Sequence, residues 1–230
     1  MTDPGLPPIS KDGSPLVTDE VFNTLSHLAA SIVSLLGGTL LIVLAATAHK
    51  VWHVVGFSIY GLSLFNLFFC STLHHGIDAA PRVEDRLRLF DYLAIFFLIA
   101  GTFTPICLVL LRDAVGWTFF GTVWAVSLAG VVLKCVRPSV PKRVTMTLYI
   151  TLGWLAFLLA IPLVKTNGSA GVGWLAAGGL SYTLGGIVFM RERPNPRPGR
   201  FGFHEIWHVM VILGALCHYA FMYAVVLPAP

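Results

Sequence analysis

The sequence predicts an all-α integral membrane protein, a bundle of seven transmembrane helices with its N-terminus cytoplasmic and its C-terminus outside. Three observations predict it. Of the 230 residues, 56% are hydrophobic and only 11% are charged, with a mean hydropathy of +0.80; soluble domains carry about a quarter charged residues. Seven stretches reach the ~20 mostly apolar residues that a span needs. And the basic residues segregate strongly between alternate loops.

The seven stretches are roughly 22–47, 52–75, 90–111, 115–134, 145–164, 171–190 and 203–228. Each is continuously apolar, which favours helices; the ~10-residue alternating segments of a membrane β-barrel are absent. With seven spans, the N-terminal tail shares one side with loops 2–3, 4–5 and 6–7. That side holds Lys11, then Arg82, Arg86 and Arg88, then Lys134, Arg137, Lys142 and Arg143, and finally Arg191, Arg193, Arg197 and Arg200. Only Lys50, Arg112 and Lys165 of the 15 Lys and Arg lie on the other side. Lys and Arg in short loops mark the cytoplasmic face, so this bias sets the orientation.

Residues 1–21 are polar and rich in Pro and Gly, and read as a flexible cytoplasmic tail without the apolar core of a signal peptide. Residues 22–230 then form one membrane domain. Small-residue pairs at 37–38, 176–179 and 185–186 suit close helix approach. Pro105 and Pro162 fall inside spans 3 and 5 and are expected to bend them. Trp117, Trp154 and Trp174 read as residues of the interfacial belt. Cys70, Cys107, Cys135 and Cys217 have no zinc-knuckle or disulfide spacing and read as reduced packing residues.

Ionisable side chains are costly in a bilayer, so those within spans are candidates for function. Span 2 ends in "CSTLHHG", span 3 begins near "FDYLAIFFLIAGTFTP" and span 7 begins with "FHEIWH". The topology brings all three of these ends to the cytoplasmic side. His204 and His208 are four residues apart, on one helix face. Ser71 and His75 have the same spacing on span 2. His75, His204 and His208 would therefore supply three nitrogen ligands to one Zn²⁺ and leave its fourth position for water, the arrangement of a catalytic site. Zinc brings the pKa of such a water near neutrality. Asp91 would accept a hydrogen bond from that water and act as its base; a helix-start role favoured by the macrodipole is the alternative.

His204, Glu205 and His208 spell H-E-x-x-H, in which the Glu of a soluble metalloprotease is the general base. Here Glu205 points about 100° away from His204, so a place behind the ligands or a pairing with a loop Arg is the competing expectation. His74 lies on another face from His75. His27, with Asn23 four residues before it, either lines the site or forms a structural polar pair. His218 lies ten residues past His208, about 15 Å deeper, and reads as a hydrogen-bonded bundle residue. His49 and His53 flank the opposite loop.

The segments "NTLSH", "STLHH", "FDYLAIFFLIAGTFTP" and "FHEIWHVMVILGALCHY" resemble the hemolysin III family, the bacterial branch of the progestin and adipoQ receptors. The resemblance covers all seven spans in order. It implies a buried zinc near the cytoplasmic face held by His75, His204 and His208, with Asp91 on the zinc water and Ser71 as a polar partner, in a bacterial inner membrane. His74 departs from the aromatic residue common in relatives. The wider group includes alkaline ceramidases, which implies hydrolysis of an amide or acyl bond in a membrane lipid.

The leading expectation is thus a zinc-dependent lipid hydrolase, with membrane lipid as substrate or ligand and no nucleic-acid partner. The alternatives are a non-enzymatic receptor-like or membrane-homeostasis protein with structural zinc, an intramembrane metalloprotease, and a pore or transporter.

Overall fold

The computed structural model describes residues 10–167 and 169–230. Among them, seven helices are long and apolar enough to cross a membrane, and no β-strand occurs. The spans are α1 (Glu20–Thr47), α2 (Val51–Gly76), α3 (Pro81–Pro105) with a π-helical extension, α4 (Ala114–Val136), a composite fifth span, α7 (Ser169–Arg191) and α8 (Phe203–Phe221). The fifth span consists of α5 (Lys142–Trp154), a 3₁₀ stretch over Leu155–Leu159 and α6 (Ala160–Asn167).

Most ends lie within a few residues of those expected. The exception is α3, which begins at Pro81 rather than near residue 90. Pro81 is well suited to a first helical position, where its missing N–H costs nothing. The turns that follow, "PRVEDRLRL", are charged and so fall outside a hydropathy window, yet they are helical, and Asp85 pairs with Arg88 at 2.6 Å.

Near both prolines expected to bend their spans, the α-helix gives way to another helical form. Pro105 lacks the N–H that would bond back one turn, and a π-helix, Ile106–Leu110, follows it directly. The 3₁₀ stretch of the fifth span lies just before Pro162, whose ring crowds the carbonyl of the preceding turn. A second π-helix, Met222–Val226, continues α8.

The glycines mark where helices approach closely. A Cβ at Gly38 would lie 3.1 Å from Cα of Gly61, so α1 and α2 nearly touch backbone to backbone there. Gly37 makes room for the Tyr219 ring, whose hydroxyl donates to the Gly37 carbonyl at 3.0 Å. Successive helices α1 to α4 pack in order, α7 pairs with α8, and α8 returns against α1 to close the ring. Trp154 departs from its expected interfacial place. It stands near the middle of the fifth span, and its indole N–H donates to Thr183 on α7 at 2.9 Å.

The segment before α1 is folded against the bundle over its described part. Ser10, Asp12, Ser14 and Thr18 are buried. Residues 1–9, the rest of the expected flexible tail, lie outside the described residues.

Candidate metal centre

α2 ends at Gly76, so its last two turns carry Ser71, His74 and His75 at one end of the bundle. α8 starts at the same end, and its first two turns carry His204, Glu205 and His208. All three candidate ligands are buried, none more than 3% exposed. A ligand nitrogen of each of His75, His204 and His208 lies within 4.8 Å of the other two. Their ring centroids form a nearly equilateral triangle, with sides of 5.0, 4.8 and 4.8 Å. The Nε2 atoms of His204 and His208 are 3.0 Å apart. Two imidazoles on a tetrahedral zinc, each bonded at ~2.0–2.1 Å, have nitrogens about 3.3 Å apart, so this donor set fits such an ion.

Behind the triangle stand carboxylates. Nδ1 of His75 is hydrogen-bonded to Oε2 of Glu20 at 2.6 Å. Nδ1 of His204 lies 3.2 Å from Oδ2 of Asp12, and the other oxygen of Asp12 lies 3.5 Å from Nε2 of His74. Burial alone would push the Asp12 carboxyl up, but the imidazoles of His204, His74 and His75 outweigh it and hold the group well below the ordinary carboxylate range. Asp12, His74 and His75 form a second group whose ligand atoms lie within 4.8 Å of one another. Both groups contain His75; only the second contains its neighbour His74.

Asp91 and Ser71 reach the same end of the bundle. Both line a cavity of about 170 Å³ together with Asp12, His27, His204 and His208. From this polar end the cavity runs between α3, the fifth span, α7 and α8 as far as Tyr182 and His218. The wall beyond the polar end is largely apolar, with Leu98, Ile99, Leu163, Val172 and Val211 among its residues. Phe157 lines the cavity and is also 67% exposed on the outer surface of the bundle, so the wall is thin at the fifth span.

Glu205 is neither at the triangle nor paired with an arginine. Its Oε2 accepts the N–H of Gly202, the residue before α8, at 2.6 Å. Its Oε1 accepts the N–H of Asp19 at 2.6 Å and the amide of Asn23 at 3.3 Å. The residue that makes H-E-x-x-H look like a protease motif therefore ties the start of α8 to the start of α1. His27 stacks on His208, with ring centroids 3.7 Å apart, and lines the cavity, whereas Asn23 goes to Glu205. His218 contacts the Leu175 carbonyl at 3.4 Å at the far end of the cavity. His53, at the opposite end of the bundle, contacts the Val226 carbonyl at 3.0 Å.

Asp12 and Glu20 are the residues that sequence reasoning missed. Their segment has no apolar periodicity that would assign a depth. The only local signal is the Asp12–Gly13 pair, a turn dipeptide, and Gly13 does adopt a φ of +73°.

The match to known proteins extends over nearly the whole bundle. The family model described as "Haemolysin-III related" matches residues 16–219. Hemolysin-3 of Bacillus cereus is 34% identical over 212 residues, covering 92% of this chain and 94% of that protein. The Hemolysin-3 homolog of Bacillus subtilis (strain 168) is 32% identical over 200 residues, covering 86% and 90%. Monocyte to macrophage differentiation factor of Homo sapiens is 25% identical over 209 residues, covering 89% and 83%. With seven apolar helices and a family match across them, the chain is an integral membrane protein and belongs to the haemolysin III family.

Proposed function

We propose that the protein is a zinc-dependent hydrolase of an acyl or amide bond in a membrane lipid, with zinc held by His75, His204 and His208. The observation that carries this reading is that His204 and His208 of the histidine triangle line the polar end of an otherwise apolar cavity, with Asp91 and Ser71 on its wall. When bound, zinc supplies a Lewis acid for the carbonyl and lowers the pKa of water. Asp91 takes the proton from the attacking water and returns it to the leaving nitrogen or oxygen. The acyl carbon thus gains OH and the leaving group gains H, which balances the hydrolysis. The apolar wall receives the acyl chain, and the thin fifth-span wall at Phe157 gives a lipid a lateral route in. The charge bias of the loops supports a metal site on the cytoplasmic side.

The test uses purified full-length protein in vesicles carrying a panel of fluorescent N-acyl and O-acyl lipids. Release of free fatty acid by the wild type, reduced at least a hundredfold in Asp91→Asn with zinc retained, supports the reading. No release from any lipid of the panel contradicts it.

One observation favours a second reading, a non-enzymatic protein with structural zinc. Asp12 also belongs, with His74 and His75, to a group whose ligand atoms lie within 4.8 Å of one another, and a carboxylate added to the ligand set would leave no position for water. An oxygen in the coordination sphere that exchanges with labelled water separates the two readings.

A further inference from the structure

The segment that enters α1 is pinned beside the histidine triangle at both ends. At one end Lys11 donates to the carbonyls of His75 at 3.1 Å and Ile77 at 2.8 Å, and pairs with Asp78 at 2.8 Å. These are free carbonyls at the C-terminal end of α2, where a cation is favoured. At the other end the N–H of Asp19 donates to Glu205, while the Asp19 side chain accepts from Phe22 and caps α1. Between these anchors the chain turns at Gly13, and the Asp12 side chain, 3% exposed, points in among the histidines. Glu20 follows directly, with its Oε1 held by the Thr18 hydroxyl at 2.6 Å.

Each carboxylate stands at the Nδ1 of one imidazole, Glu20 by a hydrogen bond to His75 and Asp12 by a 3.2 Å ion-pair contact with His204. Nε2 of His204 faces His208, so its Nδ1 is on the outer side of the ring, where Asp12 stands. Nδ1 of His75 is occupied by Glu20, which leaves Nε2 to face the triangle. A carboxylate on the outer nitrogen of a ligating histidine fixes its tautomer and ring orientation and raises its basicity. We propose that residues 10–20 form an integral strap of the metal centre, in which Asp12 and Glu20 are positioning residues that hold His204 and His75 for zinc by their outer nitrogens. This rests on the zinc reading above. It adds two residues from outside the H-E-x-x-H and S-x-x-x-H motifs and assigns the N-terminal segment to the site.

The test measures zinc affinity by chelator competition on purified full-length protein. It is applied to the wild type and to Asp12→Asn, Glu20→Gln and the pair together. The cobalt(II)-substituted visible spectrum and the melting of the metal-free protein are recorded alongside. The expected result is one zinc per chain in every variant, with affinity lowered about 10–100-fold by each single change. The cobalt band should shift even where metal-free melting falls with the loss of a charged hydrogen bond. Asp12→Glu should recover part of the affinity. Unchanged affinity in both single variants overturns the strap and leaves the zinc reading standing. So does a loss that follows only metal-free melting with the cobalt band in place. Complete loss of zinc in Asp12→Asn also overturns it, because Asp12 would then be a direct ligand. A wild type that binds no zinc removes the reading on which the strap rests.

Discussion

Nδ1 of His75 is hydrogen-bonded to Oε2 of Glu20 at 2.6 Å, so a carboxylate from the first turn of α1 orients a histidine in the last turn of α2. This contact joins two helices at one end of the bundle, and it leaves the inner nitrogen of His75 for the triangle with His204 and His208. Several consequences can be measured.

Glu205 is a structural tie. Its carboxylate receives the N–H groups of Gly202 and Asp19, both at 2.6 Å, while 1% exposed. Hydrogen bonds to a charged group contribute about 1.5–3 kcal/mol each. Glu205→Gln therefore lowers the melting temperature in detergent and leaves zinc content at the wild-type level. A protease-like role predicts the reverse: unchanged melting and abolished activity.

The helices α2 and α3 have no spare room at Gly101. A Cβ there would overlap the Ser63 hydroxyl, which is itself bonded to the Tyr60 carbonyl. Gly101→Ala should cost about 1–3 kcal/mol through overpacking. Gly121, on α4, has nothing within 4 Å of an added Cβ. Gly121→Ala should be neutral or gain up to about 1 kcal/mol from helix propensity. Paired thermal melts of the two variants check the contrast.

His218 is separated from the candidate metal centre by the length of the cavity. Ten residues beyond His208 correspond to about 15 Å of helix. Its ring packs against Tyr182 and closes over Gly178. His218→Ala should keep one zinc per chain and reduce thermal stability, as read by metal analysis and melting on the same sample.

The charge bias of the loops makes a separate prediction. A phosphatase active only outside the cytoplasm, fused after Pro230, should be active in cells, and one fused in the loop after α4 should be inactive. The opposite pattern would put the metal centre on the outer side.

Much of this was legible in the sequence because membrane physics leaves strong marks. The seven spans follow from unbroken apolar length. Their parity brings the ends of α2 and α8 and the early part of α3 to one side. The four-residue spacings of Ser71 with His75 and of His204 with His208 then select one helix face each. Other features left no such mark. The charged start of α3 is helical without being apolar, so hydropathy missed nine residues of it. Asp12 sits in a Pro- and Gly-rich segment where nothing periodic assigns depth, and Glu20 looks like an ordinary first-turn acid. Their role depends on where the strap crosses the bundle, which is a tertiary property. Glu205 was misleading for a related reason, since its partners, Asp19 and Asn23, are more than 180 residues earlier in the chain.

The most direct test of the central claim is zinc per chain, measured by elemental analysis of protein purified without added metal, for the wild type and for His75→Ala, His204→Ala and His208→Ala combined. The account predicts one zinc per wild-type chain and none in the triple variant, with the variant still extracted as a folded helical protein. A wild type without stoichiometric zinc, or a triple variant that retains it, would contradict the account.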